Sequence, residues 1–412
     1  MMLELFVGII ALAAFLSYLN AKFLKLPNTI GVMILSIAVS LLFAASYFID
    51  QTYFHQVTDF AKSIDFKTIL FDFLLGILLF SGAINVNLKG LLKEKIIVFI
   101  YATFGVLIST FIIATTFYYV ASLIGLNISY LYSLVFGALI SPTDPVAVLA
   151  LLKKAGVPKH MEIKIVGESL FNDGVGIVVF LSVLSLATMM HEFDFSHITS
   201  EFGKEAGGGF LMGFLLGHLG KKCIKSVNKE AVIAVHISLA IVMGGYILSN
   251  ILHISGAIAM VVAGLIIGQS LHAKVISKDL KNHMNIFWKV LDEIFNAVLF
   301  VLMGIVTITL DFNAYHLLLG IISIILVLLS RYITIILSNF LLKKSHRANK
   351  NETIILTWAG LRGGISIALA LSLPEGDVKD IILYATYVVV VFSIIAQGLT
   401  IEKVVSKLLK RN

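Results

Sequence analysis

Residues 137–174 read GALISPTDPVAVLALLKKAGVPKHMEIKIVGESLFNDG, and the reading of this stretch decides the fold. It holds two short clusters, Ser141-Pro142-Thr143-Asp144-Pro145 and Glu168-Ser169-Leu170-Phe171-Asn172-Asp173. Each sets ionisable or helix-breaking residues inside an apolar segment long enough to lie in lipid. A carboxylate at the bilayer centre costs about 2.5–3.5 kcal/mol even on the lenient insertion scale. The bland alternative is a pair of ordinary membrane helices whose polar residues satisfy one another. Ionisable groups at that depth point instead to a substrate or ion pathway.

Outward from this stretch, the composition is that of a polytopic membrane protein. Of 412 residues, 59% are hydrophobic and 13% charged, with a mean hydropathy of +0.99; soluble domains carry roughly 25% charged residues. The net charge is +7, but the lysines sit in short connections between apolar runs. That is orientation by the positive-inside rule, so no nucleic-acid partner is expected. The single cysteine, Cys223, excludes an internal disulfide framework and a cysteine metal cluster. Nothing resembles a phosphate-binding loop, a nucleophile elbow, or a haem or zinc motif, so neither a cofactor nor an enzyme is expected.

Apolar runs of spanning length recur from Leu3–Leu19 to Ile381–Leu399, about thirteen in all. The first lacks the basic leader and small-residue cleavage site of a signal peptide and reads as a retained helix. Basic residues occupy alternate connections, for example Lys89, Lys93 and Lys95, then Lys153, Lys154, Lys159 and Lys164. The intervening connections are acidic, as at Glu192, Asp194, Glu201 and Glu205. The alternation places the N-terminus outside and the C-terminus in the cytoplasm. No linker or soluble domain interrupts residues 1–412, which read as one all-α membrane unit. Thirteen spans set helices seven apart in opposite directions, as an inverted-topology repeat requires. The fifth run is broken by Pro142 and Pro145, and the twelfth carries Gly360-Leu361-Arg362-Gly363-Gly364. Two discontinuous, crossing helices in matching places point to a transporter binding site.

The chemistry follows from the breaks. Prolines cannot donate backbone hydrogen bonds, so carbonyls upstream of Pro142 and Pro145 are freed, and Asp144 is placed to meet a half-helix dipole. The freed carbonyls near Thr143 are candidate cation ligands. On the sixth run Ser169 and Asp173 stack one turn apart, as do Glu168 and Asn172, the two columns lying about 100° apart. The expectation is that Asp173 and Ser169 serve the ion while Glu168 serves structure. Arg362 is the obvious buried cation, and a Glu168–Arg362 pair is expected; Arg362 with Asp173 is the alternative, which would leave a static ion pair. Arg331 reads as either a salt-bridge partner or a functional cation.

These residues resemble bacterial cation/proton antiporters of the NhaP type, relatives of the eukaryotic sodium/proton exchangers. The resemblance rests on span count, Thr143-Asp144-Pro145, Glu168 to Asp173, Ser255-Gly256 with Val262-Ala263-Gly264, and Gly360 to Gly364. It implies exchange of Na+, with Li+ or K+ as alternatives, for H+, by alternating access in a homodimer embedded in lipid. The aspartate matching Asp173 exchanges sodium for protons in that family, and the residues matching Glu168 and Arg362 hold the core together; with the reading of the breaks, the expected sodium ligands are Asp173, Asp144, Thr143 and Ser169, with Asn172 supporting them. It further implies a core of about 96–189 and 313–412 moving against a dimerisation part of about 1–95 and 190–312. The Asn172-Asp173 pair matches electroneutral relatives, whereas electrogenic ones carry a second aspartate. One departure is that relatives often have Leu-Phe-Glu-Gly on the third helix where this chain reads Leu79-Phe80-Ser81-Gly82. Ser81 offers an oxygen but no charge, and Asp72, about two turns earlier, is too far along the axis to replace it.

Three further features take plain readings. Gly209, Gly213 and Gly217 form a small-residue stripe for helix packing, with dimer contact as the alternative. Trp288-Lys289 reads as an interfacial anchor. His160, His191 and His197 read as solvated loop residues. Against the antiporter stand a channel, which needs polar residues along the full depth of several helices, and a non-transporting sensor, which has no use for Asp173.

Overall fold

The structure, a computed structural model, describes residues 2–45, 51, 58, 68–144, 152, 155–188, 195–271, 276–310 and 313–409. Among them every regular element is helical. In chain order these are α1 (Met2–Leu19), α2 (Asn28–Ala45), α3 (Leu75–Ile84), α4 (Lys95–Leu123), α5 (Tyr130–Ile140) and α6 (Lys159–Thr188). They continue with α7 (Phe195–Ser226), α8 (Ala231–Ile251), α9 (Gly256–Leu271), α10 (Lys278–Thr309) and α11 (Ala314–Leu341). The twelfth is interrupted, α12a (Lys350–Ala359) meeting α12b (Gly364–Leu371) at 50°, and α13 covers Asp377–Leu409. Eight of the described helices are long and apolar enough to cross a membrane, nine with the bent pair taken as one span, and α3, α5 and α9 are shorter apolar helices. The chain is therefore a multi-pass membrane protein.

Several starts are written into the sequence. Ser129 accepts from Tyr132 N at 3.3 Å, Ser277 from Leu280 N at 3.1 Å and Asn313 from Tyr315 N at 2.9 Å. Asn349 and Glu352 form a reciprocal capping box at α12a. Each cap satisfies donors that would otherwise be orphaned at a helix N-terminus.

Helices α4, α5 and α6 pack on one another, with α11 against α4 and α13, and α12b against α13 and α5. A second set forms around α9 and α10, which carry α1, α2, α3, α7 and α8. The glycine stripe of α7 lies against α9. A Cβ at Gly209 would sit 2.5 Å from Ser255 O, and one at Gly213 2.4 Å from Ala259 O, so the stripe serves close packing within the chain. Trp288 departs from expectation. It is fully buried, donates from Nε1 to Ser238 Oγ at 3.1 Å and packs on Phe80. Its indole finds a hydroxyl inside the bundle, and only Lys289, paired with Glu293 at 3.8 Å, faces outward. The two sets meet where α6 packs on α7 and α9, with Gly174 against Ile258, where Leu299 and Met303 of α10 pack on Gly364 of α12b, and where the hydroxyls of Thr307 and Tyr387 hydrogen-bond.

Candidate ion-binding site

The C-terminal end of α5 meets the break in the twelfth helix, and backbone geometry fixes the meeting; Pro145 and the run beyond it lie outside the described residues. Asp144 N donates to Leu361 O at 2.8 Å. Gly363 lies against the Asp144 side chain so closely that a Cβ there would fall 2.4 Å from Oδ2. Only glycine permits this approach. In a continuing helix, residue 145 would donate to Ser141 O; it is proline, so that carbonyl is freed. The Arg362 guanidinium takes it up, Nη1 donating to Ser141 O and, at 2.8 Å, to Pro142 O. Arg362 N in turn donates to Ser393 Oγ at 2.8 Å. The freed carbonyls therefore bind a resident cation of the protein, which complements the negative end of α5.

Helix α6 supplies the other wall. Asn172 uses both ends of its amide on Thr143. Oδ1 accepts from Thr143 N at 3.3 Å and Nδ2 donates to Thr143 Oγ1 at 2.9 Å. Ser169 Oγ shares a hydrogen bond of 2.9 Å with Thr143 Oγ1. This clamp holds the chain just before Asp144. One residue beyond Asn172 stands Asp173, 8% exposed and within electrostatic reach of Asp144. Among the described residues, no side chain hydrogen-bonds the Asp173 carboxylate. A buried carboxylate left without donors is positioned for something that comes and goes.

The expected Glu168–Arg362 pair is not what forms. Glu168, 1% exposed, pairs with Arg331 Nη1 of α11. The reason is geometric: Arg331 lies on the buried face of α11 that packs on α4, from which its long side chain reaches Glu168, while Arg362 is taken by the carbonyls at the break. Both arginines are nearly sealed, at 7% and 1% exposure, so each needs its partner.

Residues 10–407 match the family model described as "Sodium/hydrogen exchanger, transmembrane". The chain belongs to that family. As an exchanger it is 41% identical over 412 residues to the Na(+)/H(+) antiporter NhaP of Pseudomonas aeruginosa, covering 99% of this chain and 97% of that one. It is 32% identical over 395 residues to the Na(+)/H(+) antiporter NhaH of Halobacillus dabanensis, covering 94% and 93%. In fold it is similar to the sodium proton antiporter MjNhaP1 from Methanocaldococcus jannaschii, with a TM-score of 0.78 at 20% identity over 99% of this chain and 100% of that one.

The exchanger's crossing thus gathers Thr143, Asp144, Ser169, Asn172 and Asp173, with Glu168–Arg331 and Arg362 bracing it. Ser81 turns its hydroxyl to a residue that sequence reasoning passed over. Its proton is shared between Asp292 Oδ1 at 2.8 Å and Leu78 O at 2.9 Å. Asp292 had a signal, a carboxylate four residues after Trp288 inside a long apolar run, but it lay in a segment read as an interfacial end. The Asp72 side chain and His191 lie outside the described residues; His160 contacts Glu352 at 3.5 Å.

Proposed function

We propose that this exchanger is a secondary active antiporter that moves Na+ against H+ by alternating access, with Asp173 as the exchanging group. The observation that carries the reading is the Asp173 carboxylate, buried beside Thr143, Ser169 and Asp144 yet hydrogen-bonded by none of the described side chains. One carboxylate holds either a proton or a dehydrated cation, so the two substrates compete. Oxygen donors of hydroxyl and carboxylate type suit a hard monovalent cation, and sodium is the cation named for the relatives at 41% and 32% identity. Thr143, Ser169 and Asp144 complete the ligand set.

The exchange is one for one. Asp144, Glu168, Asp173, Arg331 and Arg362 sum to zero when Asp173 carries a proton, and again when it carries Na+. Asn172, a neutral amide committed to Thr143, adds no second titrating site. The moving core is 96–189 with 313–412, and the stationary part, 1–95 with 190–312, forms a homodimer. The mutual packing of α4–α6 with α11–α13 supports this division. The C-terminus lies in the cytoplasm of a bacterial inner membrane, a reading supported by the lysine-rich connections for the orientation and by the bacterial relatives for the membrane.

The test is proton flux in proteoliposomes with Na+, Li+ and K+ offered in turn. Wild type acidifies or alkalinises on Na+ addition, while Asp173→Asn, of the same shape, inserts normally and moves no protons. Substantial exchange by Asp173→Asn removes the mechanism; flux with K+ alone reassigns the cation.

A further inference from the structure

Helix α10 carries a half-buried carboxylate that the exchange reading leaves unused. Asp292 Oδ1 takes its hydrogen bond from Ser81 Oγ at 2.8 Å, and Ser81 is itself 1% exposed. Asp292 also lies within electrostatic reach of Asp144. The next residue behaves differently, since Glu293 is exposed and pairs with Lys289 along the helix at 3.8 Å. Two adjacent acids, about 100° apart around one helix, therefore have different surroundings, one outward and one towards α3.

The register along α10 gives Asp292 its place on the path. Seven residues later, Leu299 packs on Gly364, next to the Gly363 that touches Asp144. Seven residues span about 10 Å of helix. In the other direction α10 begins at Lys278 and Lys281, in a basic connection. Asp292 thus stands between the basic-loop face and the exchange site, about two turns short of the crossing. A carboxylate turned inward at that depth, with the Ser81 hydroxyl and the Asn296 amide beside it and no cationic partner among the described residues, is expensive unless a cation visits it.

We propose that Asp292, positioned by Ser81, is a vestibule carboxylate that draws the incoming monovalent cation towards Asp144 and Asp173; this rests on the reading of Asp173 as the exchange site. It supplies from α10 the negative charge that Ser81 does not provide from α3. Asp292 acts through its field on the ion before the ion reaches Asp173. It therefore governs apparent cation affinity and leaves the exchange step alone. A unit charge about 10 Å from the ion, at an effective dielectric constant of roughly 20–40 and reduced by salt, changes occupancy roughly three- to tenfold.

The experiment is a Na+ titration of proton flux in proteoliposomes at fixed pH. Asp292→Asn raises KM for Na+ roughly three- to tenfold with kcat within about a factor of two. Asp292→Glu restores the wild-type KM, and the difference narrows as choline chloride is added. Glu293→Gln, which removes the same charge from the outward face, leaves KM unchanged. A wild-type KM in Asp292→Asn, a loss confined to kcat, or failure of Asp292→Glu to restore KM overturns the proposal. Should Asp292→Asn not insert, Ser81→Ala decides: KM must rise when the carboxylate loses its anchor, and an unchanged KM is fatal. A wild-type protein that moves no protons with Na+ counts against the exchange reading instead. An active wild type matched by Asp292→Asn counts against the vestibule alone.

Discussion

Glu168 and Arg331 are two opposite charges almost without solvent, 1% and 7% exposed, on helices that must stay together for the site to exist. Replacing Glu168 with Gln keeps the shape and leaves the guanidinium without its counter-charge. At contact distances near 4 Å and an effective dielectric constant of 20, the lost attraction is about 4 kcal/mol. That agrees with the roughly 3–5 kcal/mol seen when one partner of a buried pair is removed. Arg331→Gln should cost a similar amount. The double variant removes both charges and both desolvation penalties, so it should lose much less than the sum. Thermal unfolding of the detergent-purified protein, with chemical denaturation to convert midpoints into free energies, gives the cycle. A coupling of about 1–3 kcal/mol between Glu168 and Arg331 is expected. Glu168 with Arg362 should couple less than half as strongly, because the Arg362 guanidinium is held by the carbonyls of Ser141 and Pro142. The reasoning is refuted if Arg331→Gln melts like the wild type, or if the larger coupling belongs to Arg362.

Two other outcomes follow from the same geometry. One-for-one exchange gives voltage no handle: a full charge crossing 100 mV is worth about 2.3 kcal/mol, so flux measured with the potential clamped at zero or set by a valinomycin-mediated K+ gradient should not change, and a severalfold shift or a net current contradicts it. Gly363→Ala places a Cβ 2.4 Å from Asp144 Oδ2 and 2.7 Å from Asp144 Cβ. Moving a preorganised group by about 1 Å lowers rates on the order of 100-fold, so a normally inserted Gly363→Ala with wild-type flux would show that the contact does not matter.

Much of the site was legible because membrane chemistry makes it conspicuous. Prolines and acids inside apolar runs marked the α5 break and the α6 cluster, and helical spacing separated Glu168 from Asp173. Spacing names a face, however, and not the neighbour opposite it. Arg362 was the expected partner of Glu168 and Arg331 was left without one, and the outcome depended on which guanidinium reaches Glu168 across the helices. It also depended on the α5 carbonyls, which sequence reasoning offered to the transported ion and which the structure gives to Arg362. Trp288 was misplaced, and Asp292 passed over, for a related reason: α10 read as a plain span with an interfacial end, whereas the same residues lie at mid-helix against Ser238 and Ser81. The glycine stripe of α7 was recognisable as a packing surface, but only tertiary structure showed that α9 fills it.

The contact of α10 with α12b bears on how the protein turns over. Leu299, Met303 and Val306 line a small gap with Gly364, Ile367 and Ala368, and the polar link close by is the bond between Thr307 and Tyr387. On the proposed division, this is the plane along which the core travels. Sliding there exchanges one greasy neighbour for another, and the thioether of Met303 can adapt its shape as the opposing side chains change. On that division such a surface acts as a lubricated bearing, with the Thr307–Tyr387 bond as a catch beside it. An apolar layer of this kind is a poor conductor of protons, so on the same division the bearing doubles as a gasket between the two gradients.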